Sequence, residues 1–194
     1  MILIQFALAF YFSPLMPERM AIHWNLQGEA DGYGSRLVGL FLTPVIETIL
    51  LPLFLVLPRI DPKGSSGKLV ETYEWFILVF TGYMFYVFGL SIAWNFGYRF
   101  DFMRLLVPVL GFLFYGIGVL ISRVEMNWFL GIRTPWTLSS REVWDETHRV
   151  GSRLFKACGV ISLFGLLFGG CARAFLIPGI QAETKHLIEC KREN

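Results

Sequence analysis

The sequence predicts an all-α, polytopic bundle of transmembrane helices, with about five spans and one amphipathic helix lying at the membrane interface. Three observations carry that expectation. Hydrophobic residues make up 55% of the 194-residue chain and charged residues only 16%, against about 25% charged in an ordinary soluble domain. Mean hydropathy is +0.55. Apolar runs approaching the roughly 18 to 20 residues that cross a bilayer recur along the chain, each bounded by charge, proline or glycine. The 17 Lys and Arg and 15 Asp and Glu are scattered through short connections, so there is no basic face for direct nucleic-acid binding. Cys158, Cys171 and Cys190 show neither a CxxC pair nor a paired spacing, which argues against a disulfide framework or a zinc site.

The first apolar stretch, Met1 to Phe12, ends at Ser13-Pro14. It is short for a crossing at about 1.5 Å per residue. A retained helix is expected rather than a signal peptide, because no small-x-small cleavage site follows it. The second span is expected from about Leu37 to Leu57, the third from Trp75 to Phe96, the fourth from Leu105 to Ser122 and the fifth from about Leu154 to Phe168. Arg173, soon after Gly169-Gly170, would cost about 2.5 to 3.5 kcal/mol at a helix centre, so the fifth span should end before it. A polar tail follows, Gln181 to Asn194. This divides the chain into an N-terminal transmembrane module (1–96), a second module (97–180) and the tail (181–194).

Sidedness follows from Lys and Arg, which are in excess in cytoplasmic loops. The loops after spans two and four carry eight (Arg59, Lys63, Lys68, Arg123, Arg133, Arg141, Arg149, Arg153), those after spans one and three four (Arg19, Arg36, Arg99, Arg104). The N-terminus and loop 123–153 are therefore expected in the cytoplasm and loop 14–36 outside. The basic tail (Lys185, Lys191, Arg192) falls outside in a five-span count, against the same rule.

Two loops and one buried acid draw attention. In the first loop Gly28, Asn25 and Asp31 supply turn chemistry, and Trp24 and Tyr33 suit the headgroup belt. His23, near Glu29 and Asp31, offers either a metal ligand or a group that titrates near neutral pH, although one histidine with two acids is a weak metal pattern. Glu47 lies inside span two, where an acid is costly and marks a functional or polar-bonding position, with Asn95 or Thr81 as its expected partner. In the second loop, Ser139 followed by Glu142 reads as a capping box. It opens an amphipathic helix whose apolar face is Val143, Trp144, Thr147, Val150 and Leu154. Glu146 and His148 are two residues apart, on different faces, so this is no HExxH zinc motif. Arg133, between Gly131 and Thr134-Pro135, can aim a planar guanidinium at a carboxylate, a carbonyl cluster or a lipid phosphate.

The run Asn127 to Gly131-Ile132-Arg133-Thr134-Pro135-Trp136-Thr137-Leu138, then Val143-Trp144 and Thr147-His148-Arg149, resembles the signature of the SdpI-type bacterial immunity proteins nearly position for position. Pro17, Ile22-His23-Trp24-Asn25, Gly28, Asp31-Gly32 and Asp61-Pro62 resemble the module of unknown function that usually precedes it, so the resemblance covers about residues 14 to 166. It implies a multi-spanning protein that protects its producer from a secreted, membrane-active toxic peptide, with a cytoplasmic transcriptional repressor as a further implied partner. It implies no enzyme activity and no cofactor. The chain departs from the family at both ends, where members usually have a longer first helix and a sixth span. A small transporter or channel subunit using Glu47 and Asn95, and a membrane enzyme using His23 or His148 with Glu142, Asp145 or Glu146, are the competing readings. No internal repeat supports the former; the latter needs acid, base and pocket to converge.

Overall fold

Helix α1 (Ile2–Phe12) runs into a single tight 3-10 turn, Ser13–Leu15. Pro14 suits that turn because it has no N–H to offer a continuing α-helix. This is a computed structural model that describes residues 1–56, 67–127 and 130–168, with the side chains of 67–70 and 165–168 outside the description. Asp61-Pro62, Arg173 and the tail 181–194 lie outside it as well.

The first loop corrects the all-α expectation. It folds as an antiparallel hairpin of β1 (Arg19–Trp24) and β2 (Ala30–Ser35), in which Arg19 faces Ser35, Ala21 faces Tyr33 and Trp24 faces Ala30. Asn25 makes the turn: its side-chain oxygen accepts from the N–H groups of Gln27 and Glu29 at 3.0 and 2.9 Å. Met20, Ala21 and Trp24 are buried on β1, while β2 only alternates between half-buried and exposed. The strand therefore lies on the helices rather than standing in solvent.

Helices α2 (Arg36–Val56), α3 (Gly67–Asn95) and α4 (Phe102–Ile121) follow. Among the described residues three helices, α2, α3 over Glu71–Asn95, and α4, are long and apolar enough to cross a membrane. At 1.5 Å per residue α4 is about 30 Å long, one hydrocarbon core. The segment Ile2–Leu15 is apolar but shorter.

The second loop contains a short helix α5 (Pro135–Ser139), and α6 (Arg141–Phe168) follows directly. The expected interfacial helix and fifth span are thus one continuous helix. The expected capping box at Ser139 and Glu142 is replaced by two other caps. Thr134 and Thr137 form a reciprocal box on α5, while the Ser140 hydroxyl receives the Val143 N–H at 3.4 Å. Ser139 instead donates to the Trp136 carbonyl.

The face that α6 buries also differs from the expected one. Val143, Val150 and Leu154 are exposed, whereas Trp144, His148, Ser152 and Ser162 are buried. The reason is the fit against α4. A Cβ on Gly111 would sit 2.7 Å from the Gly159 carbonyl oxygen, and one on Gly159 2.6 Å from that of Gly111. Small residues let two backbones approach where lipid supplies no hydrophobic drive, and the Ser152 hydroxyl adds a 2.7 Å bond to the Gly118 carbonyl. Branched residues would hold the helices apart, so they face outward.

Candidate functional site

The hairpin sits on the end of the helical bundle where α3 turns into α4. Asn95, the last residue of α3, places its side-chain oxygen 2.8 Å from the Ala21 N–H and donates to the Ala21 carbonyl at 3.0 Å. The amide thereby acts as a neighbouring strand would. Trp24 stacks on Phe102 at 3.9 Å between ring centroids and meets Trp94 edge-on at 5.8 Å. Gly28 has φ +81°, and a Cβ there would fall on the Asp101 carboxylate, so only glycine allows the hairpin tip to close on the start of α4. Asp101 itself caps α4 by accepting from Arg104 N–H at 3.0 Å.

An open cleft of about 430 Å³ lies beside this contact, lined by Gln27, Glu29, Tyr33, Trp94, Arg99 and Asp101 among others. The Arg99 guanidinium rests 3.9 Å from the centre of the Trp94 ring. At the outer edge of the hairpin His23 Nδ1 meets Asp31 Oδ1 at 2.5 Å, both side chains well exposed. Of the first-loop candidates, Asn25 and Gly28 build the hairpin, and His23 and Asp31 pair on its surface. No group of three or more metal-binding side chains occurs among the described residues.

Glu47 is fully buried midway along α2, but its partner is neither Asn95 nor chiefly Thr81. Gln5 of α1, also fully buried, donates its amide N–H to Glu47 Oε2 at 2.6 Å, with Thr81 of α3 a lesser polar contact. The pair joins α1 to α2 in the middle of the bundle. Asn95 is occupied by the hairpin instead.

At the opposite end of α4, the second loop wraps around Trp144 and His148. Trp144 is fully buried, donates its indole N–H to the Val124 carbonyl at 3.1 Å and stacks on His148 at 4.0 Å. His148 is 3% exposed. Its Nδ1 lies 2.8 Å from the Trp144 carbonyl oxygen and its Nε2 accepts the Ile132 N–H at 3.0 Å. A carbonyl only accepts, so Nδ1 carries the proton and Nε2 is bare, which fixes a neutral tautomer. Burial pushes the imidazole below its usual range, opposed by the Trp144 carbonyl and Asp145.

The loop residues meet this histidine with little slack. Gly131 has φ +104°, and a Cβ on it would lie 2.3 Å from His148 Nε2. Asn127 is buried, receiving the Leu130 N–H at 2.6 Å and donating to the Glu125 carbonyl at 2.7 Å. Thr137, 1% exposed, donates to the Ile132 carbonyl at 3.0 Å and accepts from Thr134 N–H at 2.8 Å. Pro135 opens α5 on the surface, Trp136 is 72% exposed and Arg133 is exposed. Asn127, Gly131, Thr134, Trp144 and His148 thus form one knot that presents Arg133, Pro135 and Trp136 outward.

Residues 123–184, which include this knot, match the SdpI/YfhL protein family. Residues 1–48, covering α1, the hairpin and the first part of α2 through Glu47, match a domain of unknown function, DUF1648. The chain is 27% identical to Immunity protein SdpI of Bacillus subtilis (strain 168) over 149 residues, which is 75% of this chain and 68% of that protein. No solved structure matches it.

Among the described residues Asp145 and His148 line one cleft at the end of α4, but both ring nitrogens of His148 are already engaged, by the Trp144 carbonyl and the Ile132 N–H. Glu146, two residues from His148, points away and pairs with Arg149, while His23 lies at the other end of α4, about 30 Å off at 1.5 Å per residue. Sequence reasoning missed Gln5, the Trp24–Phe102 stack and the glycine seam. The seam did leave a signal: Gly111 and Gly118, like Ser152 and Gly159, are seven residues apart, two helical turns on one face.

Proposed function

We propose that this protein is an integral membrane immunity protein, giving its producer resistance to a secreted, membrane-active toxic peptide. The observation that carries the reading is the SdpI/YfhL match over the knot, joined to 27% identity with Immunity protein SdpI across 75% of the chain. The reading is non-enzymatic. Sidedness follows the eight-against-four excess of Lys and Arg: N-terminus and knot in the cytoplasm, hairpin and the turn before α4 outside. The hairpin and that turn pack together, which supports their common side. The outer cleft at Trp94 then faces an arriving peptide, and the knot, with exposed Arg133 and Trp136, is the surface available to a cytoplasmic repressor.

Two experiments test it. Sensitive cells with and without the gene are challenged with a panel of secreted membrane-active peptides; protection against at least one is expected, and equal killing by all of them contradicts the reading. For sidedness, Gln27→Cys and Arg141→Cys are made in a background lacking Cys158, Cys171 and Cys190. An impermeant thiol reagent should label only Gln27→Cys in intact cells. Labelling of Arg141→Cys alone, or of both, reverses or breaks the topology.

A further inference from the structure

A second cleft lies where α4 ends and α6 passes it, about 360 Å³ in volume and lined by Ser122, Asp145, His148, Arg149, Arg153 and Lys156 among others. Residues 145, 149, 152, 153 and 156 recur every three or four positions, so they form one stripe of α6 facing the end of α4. Among the described residues that line it, Asp145 is the one acid, against three cations. Arg149 is held by Glu146 through contacts of 2.5 to 3.0 Å. Arg153 senses Glu146 electrostatically, but neither Arg153 nor Lys156 makes a side-chain hydrogen bond among the described residues.

Lys156 reaches the cleft because of Gly118. A Cβ on Gly118 would lie 2.8 Å from Lys156 Cγ, so the glycine leaves the groove in which the apolar stem of the lysine runs along α4. The ammonium then extends toward the end of the helix, as long cationic side chains do at a membrane interface. The cleft lies beside Ile121 and Ser122, where the apolar residues of α4 give out. One to three turns further along the same stripe of α6, Val160 and Phe164 are 41% and 51% exposed. Two cations without a side-chain hydrogen bond among the described residues therefore stand beside an outward apolar face, level with the end of the apolar run of α4.

We infer that Arg153 and Lys156 hold the phosphate of an anionic phospholipid, whose acyl chains lie along the Val160 and Phe164 face. A soluble anion matches only the cations; a lipid matches both halves of the site. Basic pockets between spanning helices suit anionic headgroups, with each cation near the surface adding attraction. This site is independent of toxin protection.

The full-length protein in neutral detergent micelles is titrated with phosphatidylglycerol, with phosphatidylcholine and with inorganic phosphate, and its melting temperature is followed. Phosphatidylglycerol should raise it to a plateau, and the other two should not. In Arg153→Gln/Lys156→Gln the half-saturating lipid fraction should rise at least about tenfold. Arg104→Gln/Arg141→Gln loses the same charge outside the cleft and should titrate like the parent. Equal effects of the two lipids, or of inorganic phosphate and phosphatidylglycerol, overturn the lipid assignment. An unchanged titration in the cleft variant overturns the residue assignment, and if that variant melts too low to titrate, Lys156→Gln alone must show the weakening.

Discussion

Replacing Gly131 by alanine strikes the knot at its tightest point, and Gly97 supplies a matched control. Both glycines have φ +104°, but a Cβ on Gly97 meets nothing within 4 Å, whereas one on Gly131 lies 2.3 Å from His148 Nε2. The left-handed backbone alone costs about 1 to 2 kcal/mol for an L-residue, so Gly97→Ala should lose about that. In Gly131→Ala the imidazole must also move, and the Ile132 N–H loses the acceptor it holds at 3.0 Å. An orphaned buried donor adds about 1 to 3 kcal/mol. Gly131→Ala should then lose about 2 to 5 kcal/mol in all, which is on the order of 5 to 20 °C of melting temperature for a chain of this size. Thermal melting of both variants in detergent micelles measures the difference. If Gly131→Ala melts no lower than Gly97→Ala, the histidine contact is not holding the loop.

Other perturbations reach the remaining sites. Glu47→Gln keeps a polar partner for Gln5 and should accumulate in membranes near the parental amount, while Glu47→Leu strands the buried Gln5 amide at about 1 to 3 kcal/mol; equal accumulation of the two contradicts the pairing. His148 titrates lower in the folded protein than its ordinary value of 6.5, so its contribution to stability is present above about pH 6.5 and is lost as pH falls below it. Melting temperature should therefore drop more between pH 7.5 and 5.5 in the parent than in His148→Gln, and parallel drops would refute it. Asn95→Leu removes both bonds to the buried Ala21 backbone and should lower stability by about 2 to 4 kcal/mol, seen as earlier melting and faster protease cleavage near Gln27. Unchanged cleavage would show that Asn95 does not hold the hairpin.

The helices that span were legible in the sequence because the bilayer imposes length and apolarity together: α2, α3 and α4 lie within a few residues of the expected runs, α3 reaching back to Gly67. The hairpin was not legible. Its β2, Ala30–Ser35, carries two glycines and none of the alternation that marks a strand, and its partner β1 is anchored by a tertiary contact of Ala21 to Asn95. The face of α6 was misjudged for a related reason. Apolar periodicity reports what avoids water, and in a membrane that includes residues that face lipid as well as residues that pack, so the outward Val150 and Leu154 were read as a buried face. What packs is the small and polar stripe, which shows up only when both helices are read together. The Trp144–His148 knot could be located from its signature but not explained, since the clash between Gly131 and His148 joins residues 17 positions apart.

Protection itself is the most direct test of the immunity reading. Sensitive cells carrying the parent gene, Gly131→Ala or an empty vector are exposed to a dilution series of the peptide that the panel identifies, and the killing concentration is plotted against quantified protein in the membrane. The account predicts that the parent raises the killing concentration at least about tenfold, which is 1.4 kcal/mol of differential free energy. Gly131→Ala should protect only in proportion to the folded protein it leaves. A killing concentration unchanged from empty vector at full membrane abundance of the parent would contradict the claim.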